Sequence, residues 1–212
     1  MELASIRKEY SQASLDKESA DISPFKQFDK WMSEAVKAEL NEPTAMVLST
    51  SDSAGKINQR TVLLKEFNET GFVFYTNYSS RKAHQISENN QVSILFPWYT
   101  LERQVAVTGV ASKISKAQSL KYFLSRPFGS QLGAWVSNQS KIISSRSILE
   151  SKLAEMKRKF SEGKVPLPDD WGGYIIKPTT FEFWQGRQNR LHDRLLYTLS
   201  EDENWNIERL AP

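Results

Sequence analysis

Residues 184 to 194 read WQGRQNRLHDR and set Arg187, Arg190, His192 and Arg194 against a single acid, Asp193. Taken as extended chain, residues two apart share a face, so Arg190, His192 and Arg194 project together while Leu191 and Asp193 face the other way. A face of like charge repels itself. It has two readings: a solvated edge strand that uses charge to discourage pairing with another edge, or a site for an anion. Trp184 sets a flat apolar surface beside the charges and so suits a planar, negatively charged ligand.

Three further constellations point to anions. In YTNYSSRKAHQI a strand ends near Thr76 and a helix begins near Ser79 or Ser80, leaving Arg81 and Lys82 in its first turn. Cations there oppose the helix dipole unless an anion sits between them and the free N–H groups, an arrangement that suits phosphate. In SKAQSLKYFLSRPFGSQ, Tyr122 and Arg126 are one helical turn apart. Pro127 ends that helix, so Ser130 is expected to fold back, and phenol, guanidinium and hydroxyl together donate to a phosphate. In QRTVLLKEF, Arg60 and Lys65 differ by an odd number and would point to opposite faces of a regular strand. They can reach one ligand only at a strand end or across a bulge.

These residues need a frame. A chain of 212 residues, without repeats or a low-complexity linker, is expected to form one domain over residues 23–212, preceded by a polar, mobile arm or lid over 1–22. Ser23-Pro24 caps and starts a helix with Phe25, Phe28, Met32, Val36 and Leu40 as its apolar stripe. AMVLST, INQRTVLLKEF and FVFYTN predict three strands joined as a meander, and VSILF and RQVAVTGVASKI predict two more. SKAQSLKYFLSR and SRSILESKLAEMKRKF predict helices; GGYIIKP, TFEFW and a final hairpin LLYTLSEDENWNIERL complete the pattern. Seven or eight short antiparallel strands with intervening helices predict a mainly β, α+β fold, a β-barrel carrying helices at its ends.

Composition narrows the chemistry. With no cysteine there are no disulfides, iron–sulfur ligands or thiolate nucleophiles. His84 and His192 stand far apart without metal-ligand spacing, so no metal site is expected. A net charge of +3, from 28 basic and 25 acidic residues, argues against a nucleic-acid-binding surface. No apolar run reaches membrane-spanning length, and MELASIRKEYSQ lacks the apolar core of a signal peptide, so a soluble, cytoplasmic protein is expected.

QRTVLLK, FYTNYSSRKAHQI, FPWYTLERQVAVTG, KYFLSRP, SQLGAWVSNQS, VPLPDDWGGY, FEFWQGRQNRLHDR and the closing ERLAP run in order from about Arg7 to Pro212. Together they resemble the pyridoxine/pyridoxamine 5'-phosphate oxidase family. The resemblance implies an FMN-binding split β-barrel and a homodimer with FMN at the subunit interface. It also implies oxidation of pyridoxamine or pyridoxine 5'-phosphate to pyridoxal 5'-phosphate, with dioxygen as acceptor and hydrogen peroxide as by-product. It gives the FMN phosphate to Arg60, Ser80, Arg81 and Lys82, and the rest of the flavin to Thr61, Val62, Leu63, Leu64, Lys65, Tyr75, Thr76, Gln104, Gln139, Ser140, Trp184 and Arg194. The substrate phosphate falls to Lys65, Tyr122, Arg126 and Ser130, and the ring and reacting end to Arg190 and His192, the two residues given catalytic roles. Arg7 and Tyr10 match a segment that folds over substrate. Many bacterial members follow that segment with Gly-Gly-Leu, whereas this chain reads SQASLDKESAD, and Arg187 stands where a small or polar residue is usual and has no assigned role. Two other functions fit the same barrel: a non-catalytic flavin or pyridoxal-phosphate carrier, and an FMN reductase with a nicotinamide or deazaflavin donor, which has no use for a second phosphate site.

Overall fold

The computed structural model describes the whole chain except Met1, Ala4, Arg7 and Glu162. Arg7, expected beside the ligand, therefore lies outside the described residues. Helix α1 (Pro24–Lys37) starts as its sequence predicts, with Ser23 as N-cap accepting from the Lys26 amide and proline at the first turn. Its buried stripe is Phe28, Trp31, Met32 and Ala35. Val36, expected on that stripe, is 55% exposed.

Nine strands form one antiparallel sheet: β1 (Ala45–Ser51), β2 (Ile57–Leu63), β3 (Glu66–Asn68), β4 (Gly71–Asn77), β5 (Gln91–Trp98), β6 (Arg103–Lys113), β7 (Trp171–Gln185), β8 (Asp193–Leu199) and β9 (Trp205–Leu210). The order β2-β1-β5-β6-β7-β4-β3 corrects the expected meander. The run INQRTVLLKEF breaks after Leu63: the Leu64 amide bonds to Thr44 O, and the next amide, Lys65, bonds to Val73 O. That step carries the chain from one end of the ladder to the other. It curls the sheet into a half-barrel, and β2 and β4 meet across the gap.

The long strand β7 joins what GGYIIKP and TFEFW suggested were two strands. Its first half pairs with β4 and its second half with β8, while β6 runs along its other edge. Pro178, which has no N–H to give the ladder, sits where the β6–β7 register shifts between Thr108 and Gly109. Gly109 is required there, because a Cβ would lie 2.9 Å from Pro178 Cα.

Inside the curl Phe28, Phe72, Phe96, Phe181 and Phe183 are fully buried, with Phe28 about 5.0 Å from both Phe72 and Phe96. Full burial of each such side chain contributes roughly 1.5–3 kcal/mol. A second, smaller core of Phe123, Leu132, Val165 and Trp171 lies among α3 (Lys116–Ser125), α4 (Phe128–Val136) and α5 (Ser147–Lys159). Ser115 and Gln118 form a capping box at the start of α3. Helix α4 stands where the sequence suggested only a fold-back after Pro127. No helix among the described residues is long and apolar enough to cross a membrane.

Candidate functional site

Strand β2, the end of β4, the start of α2 (Arg81–Glu88), α3 and α4 enclose a cavity of about 810 Å³. Its lining includes Arg60, Lys65, Arg81, Lys82 and Arg126 and no carboxylate. Lys65 follows the break after β2, which is how it reaches the same space as Arg60 despite the odd spacing. Thr61, Val62, Leu63, Tyr75, Thr76, Tyr122, Ser130, Gln139 and Ser140 also line the cavity. Leu64 does not: it is 4% exposed and packs in the core. Asn58, Gln59, Asn77 and Trp171 line it without having been assigned a role, although Trp171 stands out in the sequence before the glycine pair of DDWGGY.

The cations at α2 form a strained set. Ser80 is the fully buried N-cap, with Arg81 and Lys82 in the first turn, as the sequence predicts. Lys82 Nζ donates to Thr76 Oγ1 at 3.0 Å, Gln139 Oε1 at 2.7 Å and Ser80 Oγ at 3.4 Å. Burial, aided by nearby Arg60, pushes Lys82 down to about 8. Arg60 is lowered by burial and by Arg81, and is fixed by bonds from Nη1 to Leu48 O at 3.1 Å and Thr50 Oγ1 at 2.7 Å. Three neighbouring cations without an acid favour a bound anion, and the helix N–H groups add to that preference.

Arg126 belongs to a second set. It caps α3 at its C-terminus in extended conformation, and its guanidinium carbon lies 4.7 Å over the Trp171 ring. Arg126 Nη1 is buried without a hydrogen-bond partner, the one such side-chain nitrogen or oxygen among the described residues. An unpaired buried donor costs about 1–3 kcal/mol, so it marks a position where an acceptor is missing. Burial lowers the Arg126 pKa and Tyr122 works against that. Tyr122 stacks on Tyr75 at 3.9 Å, so the two cation sets adjoin through this ring pair.

The remaining expected residues lie elsewhere. Gln104 on β6 is opposite Trp184 on β7, and Trp184 is opposite Arg194 on β8, giving one cross-strand row. His192 packs 4.6 Å from Trp184, its Nδ1 accepting the Arg187 amide at 3.1 Å, and Tyr10 lies 5.8 Å from Trp184. Arg194 Nε pairs with Glu182 at 2.8 Å. Arg190 departs from the expected strand face. It ends a short 3-10 turn, Gln188–Arg190, in which Asn189 and Arg190 have φ of 55° and 61°, and β8 starts only at Asp193. The alternation of the opening stretch therefore fails before His192.

None of Gln104, Trp184, Arg190, His192 and Arg194 lines the cavity. Tyr75 and Thr76 pair with Gly173 and Gly172 at one end of β7, and Trp184 lies twelve residues further along it. At ~3.3 Å per residue that is roughly 40 Å of strand. Tyr75 and Thr76 thus adjoin one end of β7 and the Trp184 row the other, while Arg60 on β2 lies four strands from β7.

Fold and site together define a split-barrel protein with a cation-lined, acid-free cavity. Residues 32–160 match the family model described as pyridoxamine 5'-phosphate oxidase, and residues 171–212 match the pyridoxine 5'-phosphate oxidase C-terminal dimerisation region, which supports a dimer. Pyridoxine/pyridoxamine 5'-phosphate oxidases of Crocosphaera subtropica and Aliarcobacter butzleri are each 58% identical to this chain, with both chains of each pair covered completely. The crystal structure of PhzG from Burkholderia lata, in complex with tetrahydrophenazine-1-carboxylic acid, superposes with TM-score 0.87 at 27% identity over 92% of this chain and 95% of that one. A pyridoxamine 5'-phosphate oxidase-related, FMN-binding protein from Nostoc punctiforme shares the fold at TM-score 0.72 and 16% identity, over 91% of this chain and 100% of that one. The chain belongs to the pyridoxine/pyridoxamine 5'-phosphate oxidase family.

Proposed function

We propose that the chain oxidises pyridoxamine or pyridoxine 5'-phosphate to pyridoxal 5'-phosphate in a site built from the cavity of one protomer and the Trp184–Arg194 end of its partner in a homodimer. The carrying observation is the acid-free cavity lined by Arg60, Arg81 and Lys82 and by an Arg126 whose buried Nη1 lacks a partner, which suits two phosphate-bearing ligands side by side. The absence of Gln104, Trp184, Arg190, His192 and Arg194 from the cavity lining supports the sharing, because the two residue sets do not meet within one chain.

The residues fit FMN. Arg60, Arg81, Lys82 and the α2 N-terminus would hold its phosphate; Tyr75, Thr76, Gln139 and Ser140 line the adjoining wall; Gln104, Trp184 and Arg194 would approach from the partner. The chemistry a bound FMN supplies is two-electron oxidation at the substrate's 4' carbon, with dioxygen as final acceptor and hydrogen peroxide as by-product. The chain itself binds and orients. Lys65, Tyr122, Arg126 and Ser130 would take the substrate phosphate, Arg126 supplying the donor that has no partner in the protein. Arg190, exposed at its turn, is free to lie against the substrate ring and stabilise charge that develops there. His192 accepts the Arg187 amide at Nδ1, so its neutral form carries the proton on Nε2 and presents a donor to a ring substituent. A reductase with another donor leaves the Arg126 set without a use. The test is anaerobic mixing of FMN-loaded protein with pyridoxamine 5'-phosphate. Bleaching of the flavin is expected; binding without bleaching would make the protein a carrier.

A further inference from the structure

Glu102 is a buried carboxylate that the reading above leaves unused. It follows the 3-10 turn Tyr99–Leu101 in left-handed conformation, φ 55° and ψ 37°, and is 3% exposed. Its carbonyl accepts the Gly186 amide at 2.7 Å and Gln185 Nε2 at 3.2 Å, which fixes the chain just after Trp184. Its side chain turns to the N-terminal arm. Oε2 accepts the amides of Ser11 at 2.8 Å and Gln12 at 3.1 Å, and Oε1 pairs with Lys8 Nζ at 3.2 Å.

The base of the arm is fastened separately. Leu15 is 4% exposed, and its amide donates to Asp193 Oδ2 at 3.1 Å while its carbonyl accepts from Arg209 at 3.1 Å. Arg187, to which the sequence gave no role, donates to Ala13 O at 3.4 Å and pairs with Asp193 at 3.4 Å. Tyr10 lies at the tip held by Glu102. Its ring is edge-on to Trp184 and 5.9 Å from His192, and it presses on Gly186 so closely that a Cβ there would come within 2.8 Å of it.

We infer that Glu102 is a positioning residue: its carboxylate seats residues 8–12 and thereby holds Tyr10 over Trp184 and His192 as the outer wall of the substrate site. The inference rests on the reading that Trp184 and His192 face the ligands. One residue, through its carbonyl and its carboxylate, fixes both the end of β7 and the arm that covers it, so the wall and the surface beneath keep a set spacing. A charge-assisted bond to backbone N–H is among the stronger ones available to hold such a segment.

The test uses the FMN-loaded dimer. Glu102→Gln places an amide against two N–H donors and removes the partner of Lys8. It should raise KM for pyridoxamine 5'-phosphate about tenfold while kcat and flavin content stay within about twofold, and trypsin should cut after Lys8 faster. Combined with Tyr10→Ala it should add no further rise, because both changes remove the same wall. Lys8→Met, on a side chain that is 62% exposed, leaves the core untouched and should move KM and cleavage the same way by a smaller factor. An unchanged KM in Glu102→Gln, a KM rise accompanied by loss of flavin, or full additivity with Tyr10→Ala would overturn the inference; if that variant does not fold, unchanged KM and cleavage in Lys8→Met would do so. Failure of the parent protein to oxidise the substrate would sink the functional reading instead, with arm docking still read from the cleavage rates.

Discussion

Replacing Arg126 with methionine separates a ligand-binding guanidinium from a structural one. Methionine keeps an apolar stem to cover Trp171 and removes only the charged head, whose Nη1 is buried and unpaired. A hydrogen bond to a charged group contributes about 1.5–3 kcal/mol, and at 1.4 kcal/mol per factor of ten that is a KM for pyridoxamine 5'-phosphate higher by about 12- to 140-fold. The ligand-free protein should respond in the opposite direction. It now bears a buried donor without an acceptor, and relief of about 1 kcal/mol raises Tm by roughly 2–4 °C in a chain of this size. Steady-state kinetics at saturating FMN, flavin content of the same samples and thermal melts of the apoprotein read all three quantities. A lower apoprotein Tm with unchanged KM would make Arg126 a structural residue, and loss of flavin would assign it to the other phosphate.

The group at Lys82 gives a pH dependence. Its folded pKa lies near 8 against an ordinary 10.5, so over that interval the unfolded chain holds a proton that the ligand-free fold does not, and this group makes the apoprotein more stable as pH rises from 8 to 10.5. A bound phosphate restores the proton, so FMN affinity should fall above pH 8 by up to about tenfold per unit. Calorimetric titration in buffers of different ionisation enthalpy should register proton uptake there, and a flat affinity profile from about pH 7 to 9.5 would refute it. With pyridoxamine 5'-phosphate well below the parental KM, mixing Arg126→Met with Arg190→Ala subunits should restore about a quarter of the parental rate, since half of randomly assorted dimers are mixed and each has one intact site; no restoration means that the site lies within one chain. Arg194→Ala removes the partner of Glu182 and leaves an uncompensated carboxylate two residues along β7 from Trp184, so fluorescence titration of the apoprotein should show FMN weakened on the order of tenfold; unchanged affinity would take Arg194 out of the flavin site.

Local signals in the sequence were legible where one residue type has one physical job. Ser23-Pro24 and the strand-to-helix step at Ser80 mark helix starts that the structure keeps, and Arg81 and Lys82 stand in the first turn as read. Strand order was not legible, because a two-residue break at Leu64-Lys65 decides which edge the chain joins and nothing in VLLKEF distinguishes a break from a continuous strand. Helix α4 was hidden by Gly129 and Gly133, which lower its intrinsic propensity. Its helicity comes from packing Leu132 into the smaller core. Arg190 was misplaced because period-two reasoning assumes a strand, whereas a local bond from the Arg187 amide to His192 closes a turn there. The cavity residues were named mostly through the family resemblance; that they converge without a carboxylate emerged only in three dimensions.

That acid-free cavity would tie the protein's persistence to the supply of the ligands proposed for it. A pocket of cations that repel one another is a built-in weakness of the empty chain, and a ligand that binds only the folded form stabilises it by about 2.7 kcal/mol when present at a hundred times its Kd. Unfolded chains are cleared by cellular proteases in proportion to their population, and an increment of that size alters abundance several-fold. Scarcity of the phosphorylated ligand proposed for it would thus cut the amount of protein as well as its saturation.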